Sequence, residues 1–450
     1  MLFSNRDLKR IIVPLIFSQF FTIFVGMVDT IMVAGSGQAA VSAVSLVNTV
    51  NLMLSYLYGS LCSGGSIVIA QLLGKKDKPL AQEAGKQLVY VALFISTFIS
   101  LIMVFFRKQI LGLVFGQVEK DVMENALNYS LYTSLSMPFS ALYSACSSFL
   151  TAQGKTKITM STSILVNVLN VGGNATLIMG FGMGATGAAL ATLFARVVGT
   201  LVILVKAHNK NNEIYLSKLY KYKPNGILIK NICGVGIPSG LENAMFQFGK
   251  VVTLSLIAGF GTAQIAANAT ANSLANLQYA SGNAIGAAMS SVIGRCVGAG
   301  EKDQAKYYAK KLLGIAYVCI ISISIVICLL SSPLIGLYGL DKEATALATK
   351  ILLTQSIFVC SLWPIAFPLS SSFKAASDVR FIMIIAIVSM WTLRVGLSFV
   401  FAGYLGMGAM GVWYAMFCDW LFRAIVFGTR FISGKWLTKY KEININKPAV

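Results

Sequence analysis

The sequence predicts an all-α polytopic membrane protein, with twelve transmembrane helices in two six-helix lobes. Three observations predict this class: an apolar composition, about twelve long apolar runs, and an internal repeat. The chain has 450 residues, of which 56% are hydrophobic and 12% charged, and its mean hydropathy is +0.74. A soluble chain carries about 25% charged residues. The apolar runs also lack the ten-residue alternation that is typical of an outer-membrane barrel.

The apolar runs are long enough to cross a bilayer core, which takes about 20 residues of helix. Short polar or glycine-rich connections separate them. The predicted spans are residues 10–33, 41–72, 87–106, 126–150, 158–180, 186–206, 231–257, 263–293, 312–336, 347–372, 381–403 and 408–433.

The net charge of +20 is concentrated in every second connection. Examples are SNRDLKR before the first run, GKKDKPLAQEAGKQ after the second, and the segment from Arg430 onward. Short cytoplasmic connections of membrane proteins are enriched in Lys and Arg. We therefore expect a multi-pass protein of the cytoplasmic membrane with both termini in the cytoplasm. We expect the surplus positive charge to face the anionic inner leaflet of the membrane. This placement favours the membrane surface over nucleic acid as its partner.

The chain repeats itself at an offset of 224 residues. AGSGQAA at 34–40 faces AGFGTAQ at 258–264, and GMGATG at 182–187 faces GMGAMG at 406–411. Because 224 residues contain an even number of predicted crossings, the two halves have parallel topology, an arrangement that occurs in transporters. The predicted organisation is a lobe at 1–206, a cytoplasmic linker at 207–230, a second lobe at 231–433 and a cytoplasmic tail at 434–450.

Residues for catalysis or metal binding are sparse. The eight cysteines lie singly, and the one histidine, His208, lies in a basic connection. These spacings do not indicate a metal site or a disulfide framework. We therefore predict that the protein is not an enzyme and has no cofactor and no metal centre.

Three acids fall within predicted spans: Asp29, Glu242 and Asp419. Acids inside a membrane usually face a bundle interior or a wet cavity, so each of them is a candidate functional residue.

Asp29 lies in the apolar stretch GMVDTIMVAGSG of the first span. A carboxyl group there can stay protonated or bind a cation that offsets its charge. A sodium ion also needs neutral oxygen ligands, and the fifth span supplies Asn167, Asn170 and Asn174. Asn170 and Asn174 are one turn apart on one helix face. This pattern predicts a cation-coupling site; the alternative is a structural acid that is capped or paired.

Glu242 lies near the middle of the seventh span, followed by Asn243, Gln247 and Lys250. A carboxylate at that depth suits a cationic substrate or a second coupling ion, so we predict that these four residues line a substrate or ion cleft. The alternative is an ion pair of Glu242 with Lys250 or with a polar group of the other lobe.

Asp419 and Arg423 are four residues apart in the twelfth span, and Arg394 lies in the eleventh. Residues at this spacing face each other on a helix. We predict that the three form a structural charge pair that neutralises buried charge and joins helices.

Several of these stretches resemble the multidrug and toxic compound extrusion (MATE) family, in its DinF-like bacterial branch. They are VDTIMVAGSG, QLLGKKDKPLAQEA, AQGKTK, GMGATGAALAT and GIPSGLEN. The resemblance implies two lobes around a V-shaped cleft and efflux of organic, often cationic and aromatic, compounds driven by inward sodium or proton flow. It carries the family's cation-site aspartate onto Asp29 and an asparagine onto Asn170. Asn174 stands where many relatives have a second acid, so this site has one formal negative charge fewer.

Our leading hypothesis is a monomeric multidrug antiporter whose partners are small organic substrates and a coupling cation, Na⁺ or H⁺. The second hypothesis is a lipid-linked precursor flippase of the same superfamily, for which a strongly cationic cleft is expected. A membrane scaffold or channel without coupled transport is the third.

Overall fold

The protein is helical throughout the residues that its computed structural model describes, which are 2–116, 119–217, 219 and 223–440. The chain divides into two compact units. We call Arg6–Gly240 the N-terminal unit, and Leu241–Glu442 with Met1–Asn5 the C-terminal unit. The lobe limits drawn from the sequence stay a prediction. Part of the predicted linker and the tail from residue 441 lie outside the described residues.

Six long helices make up the first half of the chain. Asp77 shows how one of them begins, because its carboxylate accepts a hydrogen bond from Leu80 N at 3.1 Å and so caps the helix that follows. The six are α1 (Asn5–Ala34), α2 (Gln38–Gly74), α3 (Lys78–Phe115), α4 (Lys120–Ala152), α5 (Thr156–Gly180) and α6 (Gly184–Ala207).

Six further helices form the second half. The first, α7, crosses the limit between the two units at Gly240. They are α7 (Gly226–Ala258), α8 (Thr262–Gly298), α9 (Lys302–Leu329), α10 in three segments (Lys342–Ser361, Trp363–Ala366 and Pro368–Ala375), α11 (Val379–Tyr404) and α12 (Gly408–Ile432).

One predicted span ends early and another is interrupted, and proline explains both differences. The ninth span was expected to run to residue 336, but α9 ends at Leu329 and a short helix, Ser331–Gly336, follows it. Pro333 has no N–H to continue the α9 ladder. The tenth span is interrupted at Leu362, two residues before Pro364, which lacks the N–H of the helical ladder, and at Phe367, which directly precedes Pro368. A residue before proline is disfavoured in the helical region.

Nine of the helices in the described part of the chain are long and apolar enough to span a membrane. The other three, α4, α7 and α8, have 33, 33 and 37 residues but are richer in polar side chains. Large apolar side chains are exposed on the helix surfaces, for example Leu113 (89%) and Phe94 (75%). Surfaces of this kind belong in lipid. The chain is therefore a multi-pass, all-α membrane protein, as predicted.

The 224-residue repeat is visible in the backbone. Gly37 and Gly261, which begin α2 and α8, both have φ of 98°, a value that a residue with a Cβ rarely adopts. The ends of α5 and α11 both widen into a π-helical turn, at Ala175–Gly180 and Phe399–Tyr404. The parallel internal repeat is thus confirmed at the level of individual turns.

Glycine also permits a close contact between two helix backbones in the N-terminal unit. A Cβ added at Gly64 on α2 would lie 2.7 Å from the backbone nitrogen of Gly236 on α7. Small residues at such crossings let membrane helices approach closely. This contact holds α7 against α2. It lies toward the last residues of α2 and the first residues of α7, which the sequence predicts to be on the cytoplasmic side.

The predicted tail begins with a packed turn. Residues Lys435–Thr438 form a 3-10 helix, and Trp436 is fully buried. Its ring lies 5.7 Å from that of Phe373 and 5.8 Å from that of Phe431. The first residues after α12 are therefore part of the C-terminal unit.

Candidate cation site and buried charges

Asp29 and Asn174 connect α1 to α5 within the N-terminal unit. Asn174 Nδ2 donates a hydrogen bond of 2.9 Å to Asp29 Oδ1. Asn174 is 2% exposed, whereas Asp29 is half-buried. The pair lies at the start of the π-helical turn of α5, and such turns are frequent at functional sites.

The Asn170 amide lies between Asp29 and Thr192 of α6, and its two orientations suit two protonation states of Asp29. With its nitrogen toward Asp29, it donates to Oδ2 and Oδ1 at 2.7 and 3.2 Å, which suits an ionised carboxylate. With its nitrogen toward Thr192 Oγ1, at 3.1 Å, its oxygen faces Asp29. A protonated carboxyl can then donate to that oxygen, because amides offer a donor and an acceptor at opposite sides.

A cavity of about 470 Å³ in the N-terminal unit reaches Asp29. Polar side chains of several helices line it, and the Asn174 Oδ1 atom is buried without a hydrogen-bond partner. A carboxylate with nearby neutral oxygens is the donor set that a hard cation prefers. The polar lining consists of Asp29, Thr30, Ser45, Asn48, Thr49, Tyr129, Asn174 and Thr192.

Asn167, the third asparagine predicted for this site, is not brought to Asp29. Its Nδ2 lies 3.5 Å from Thr22 Oγ1, about two turns before Asp29 on α1. Because Asn167 precedes Asn170 by three residues on α5, it contacts α1 at a position before Asp29. The structure thus brings together Asp29, Asn170 and Asn174 and leaves Asn167 apart.

The sequence analysis missed the other polar residues of this cavity, and three of them form side-chain hydrogen bonds with each other or with Asn170. Tyr129 on α4 donates to Asn48 Oδ1 on α2 at 3.1 Å, and Thr192 contacts Asn170 as described. A signal existed for Asn48, because the repeat aligns it with Asn272. Tyr129 and Thr192 carry no comparable sequence signal.

Glu242 forms an ion pair with a residue that was not predicted as its partner. Its Oε2 atom lies 2.7 Å from Lys374 Nζ at the end of α10, and both side chains are mostly buried. Lys250, which was considered as a partner, lies eight residues further along α7, or about 12 Å by helical rise. Asn243 and Gln247 are both half-buried in between.

Asp419 and Arg423 are paired as predicted. Arg423 Nε donates to Asp419 Oδ1 at 2.8 Å, and the two side chains are 3% and 0% exposed in that order. Arg423 Nη2 also donates to the carbonyl of Ala386 at 3.0 Å, which joins α12 to α11. The charges of Asp419 and Arg423 both act on Arg394, whose Nε atom is buried without a hydrogen-bond partner in the described part of the chain.

Three cationic groups lie around the ring of Phe246 on α7. Arg394 lies 5.2 Å, Lys250 5.6 Å and Arg423 5.8 Å from the ring centre. These distances are within the range of cation–π attraction. Within the part of the chain that the structure describes, Lys250 and Arg394 form no ion pair with an acidic side chain at 4.0 Å or less.

The described residues contain no group of three or more His, Cys, Asp or Glu that could hold a metal ion. A cation at Asp29 would therefore be held by one carboxylate together with amide and hydroxyl oxygens.

A model of the MatE family matches the chain twice, over residues 14–176 and 238–400. The two matches are 224 residues apart at both ends, which is the offset of the sequence repeat. Together they cover more than half of the chain.

Curated relatives match over nearly their whole length. The chain is 26% identical over 420 residues to "Uncharacterized transporter YisQ" of Bacillus subtilis, covering 92% of this chain and 91% of that protein. It is 26% identical over 440 residues to "Probable multidrug resistance protein NorM" of Thermotoga maritima, covering 96% and 93%.

Solved structures share the fold. A MATE protein in a bent conformation superposes with a TM-score of 0.87 at 22% identity, covering 96% of both chains. A MOP superfamily transporter from Pyrococcus furiosus gives 0.88 at 21% identity, covering 96% of this chain and 95% of that one.

Proposed function

The chain belongs to the MatE family of membrane transporters, and from this premise we propose that it exports organic compounds in exchange for an inward-moving cation. The observation that carries the proposal is the half-buried carboxyl of Asp29, which lies at a polar cavity beside two asparagine amides. The names of two relatives, NorM and YisQ, support multidrug export and transport in general.

Asp29 suits cation exchange because its surroundings accommodate both a charged and a neutral carboxyl. The Asn170 amide can donate to the ionised form or accept from the protonated form, depending on its orientation. A cation bound at Asp29 would compensate the charge in the same way as a proton. Loading and release of a cation would then change the contacts between α1 and α5, which gives alternating access a trigger.

The coupling ion is Na⁺ or H⁺ in this proposal. Sodium would use Asp29 together with the free Asn174 Oδ1 and neighbouring hydroxyl oxygens. A proton would use Asp29 alone. We further propose that the protein works as a monomer in the cytoplasmic membrane with both termini in the cytoplasm, as the basic connections indicate.

Ion-driven efflux from proteoliposomes tests the proposal. Purified protein is reconstituted, and extrusion of an ethidium-like dye is measured under a sodium gradient and, separately, under a pH gradient. We expect Asp29→Asn to abolish efflux driven by the productive gradient, because the variant can neither bind a proton nor carry a compensating charge. Asp121→Asn, at an exposed acid in the first turn of α4, is the matched control. Undiminished efflux by Asp29→Asn would remove Asp29 from the mechanism.

A lipid-linked precursor flippase is less well supported. Recognition of a pyrophosphate calls for a strongly cationic cleft, but Lys374 is paired with Glu242 and Arg423 with Asp419, so acids compensate two of the four cations in the set that includes Lys250 and Arg394. The same dye assay separates a passive channel or a scaffold, neither of which would move dye against its gradient.

A further inference from the structure

The two repeats differ in charge at equivalent positions. Asn170, which contacts Asp29 in the first repeat, aligns with Arg394 in the second at the 224-residue offset. By the same offset, Gly26 aligns with Lys250 and Gly199 with Arg423. The second repeat therefore has cations where the first has neutral residues.

The cations of the C-terminal unit are not all compensated. Of the four cations Lys374, Arg423, Lys250 and Arg394, the first two have acidic partners, Glu242 and Asp419 in that order. Arg394 is 7% exposed, and its Nε is buried without a hydrogen-bond partner.

An unpaired guanidinium is expensive to bury. Its contact with Phe246, 5.2 Å from the ring centre, offsets part of that cost. The Nε atom of Arg394 can therefore still donate a hydrogen bond to a ligand.

Lys250 makes this cluster accessible. Its side chain is exposed, whereas Arg394 is buried, and the two groups lie at 5.6 and 5.2 Å from the Phe246 ring centre. A ligand that enters past Lys250 therefore meets two cationic groups and one aromatic ring.

We propose that Lys250, Arg394 and Phe246 form a binding site for the anionic group of an amphipathic aromatic compound. A carboxylate or phosphate would accept hydrogen bonds from the two cations, and its aromatic body would pack on Phe246 and its neighbours. This proposal goes beyond cation-coupled export, because cation exchange at Asp29 does not require an anion site. It implies that the substrates include zwitterionic or acidic aromatic compounds. The same chemistry is present in the headgroup of an anionic lipid.

Equilibrium binding to the purified full-length protein tests the proposal without any ion gradient, so its result does not depend on Asp29. The probes are dansylglycine, an aromatic carboxylate, and its uncharged methyl ester, followed by dansyl fluorescence at neutral pH in a non-ionic detergent. We expect the carboxylate to bind about tenfold tighter than the ester, since a hydrogen bond to a charged group is worth that factor or more. Equal affinities would overturn the proposal.

Variants at Lys250 locate the site. Lys250→Gln should weaken dansylglycine about tenfold and leave the ester unchanged, whereas Lys250→Arg should retain both affinities. Lys342→Gln, at an exposed lysine of α10, is the control. Arg394→Gln should show the same selective loss of dansylglycine binding. Its melting temperature is measured first, to establish that the variant is folded. Unaltered dansylglycine binding by Lys250→Gln would refute the assignment.

Competition by lipid separates the two sources of the anion. Displacement of dansylglycine by phosphatidylglycerol, but not by phosphatidylcholine, would identify a lipid headgroup as the occupant. Retention of the probe in the presence of both lipids would assign the site to transported compounds. Displacement by both lipids alike would contradict an anion site.

Discussion

Glu242 on α7 and Lys374 at the end of α10 form an ion pair of 2.7 Å within the C-terminal unit. The side chains are 14% and 17% exposed in that order, so the pair is neither at the surface nor fully desolvated. Each residue compensates the charge of the other. A structural role of Glu242 and a role in substrate binding therefore predict different behaviour when both charges are removed together.

We predict that Glu242→Gln and Lys374→Gln each destabilise the protein, and that the double variant is less destabilised than their sum. Loss of one partner costs about 3–5 kcal/mol for a buried pair and at most about 1 kcal/mol for an exposed one, so an intermediate value is expected here. Melting temperatures in detergent provide the measurement. Additive effects would show that the two residues do not interact. Dye efflux that recovers in the double variant would assign Glu242 to structure, and efflux that stays lost would assign it to binding.

Asn174 should set the cation affinity of the Asp29 site. Asn174→Ala removes the 2.9 Å hydrogen bond to Asp29 and a free amide oxygen, and we expect the half-saturating concentration of the coupling ion to rise about tenfold. Asn174→Asp places a second carboxylate beside Asp29, and two such groups share a proton or a cation. That variant should show a steeper dependence of efflux on the coupling ion. Unchanged ion dependence in both variants would contradict this role.

Thr192 should act through the Asn170 amide. Thr192→Val removes the hydroxyl that lies 3.1 Å from that amide, and we expect ion-driven efflux to fall about two- to fivefold, because one hydrogen bond of about 1 kcal/mol no longer orients Asn170. Thr176→Val is the control, since Thr176 is exposed and bonds to the carbonyl of Gly172. The rate is measured in the same proteoliposomes. A decrease of equal size in Thr176→Val would argue against a specific effect.

Asp419 should be essential for stability. Asp419→Asn leaves Arg423, which is 2% exposed, without its partner, at a cost of about 3–5 kcal/mol. We expect a large fall in melting temperature and in the yield of monodisperse protein. The apolar double variant Asp419→Leu/Arg423→Met should be less affected, because it leaves no uncompensated charge. A melting temperature of Asp419→Asn close to that of the exposed-site variant Glu343→Gln would contradict a structural pair.

The sequence predicted most of the fold because hydropathy and turn residues are local signals. The limits of α1 to α8, α11 and α12 follow the apolar runs, extended at several ends by the polar turns that continue the helices. The errors lie at Pro333, Pro364 and Pro368, where the composition stays apolar but the hydrogen-bond ladder cannot continue.

The candidate site was predictable only where helical spacing determines contact. Asn170 and Asn174 share a face, and both meet Asp29, whereas the step to Asn167 leads away from it. Lys374 lies two residues after the predicted span 347–372, so the sequence indicated a cytoplasmic connection there. Since α10 continues to Ala375, its ammonium group reaches Glu242, and an ion pair between distant helices leaves no periodic signature in a single sequence.

The matching turns at Gly37 and Gly261 fix where a helix starts in each half of the chain, whatever side chains the helices carry. Duplication of an ancestral half therefore produced a framework whose interior could diverge by point substitution alone. An acid could be retained in one copy and basic groups acquired in the other without any rearrangement of the backbone. Electrostatic specialisation of this kind allows one ancestral module to supply two chemically distinct environments.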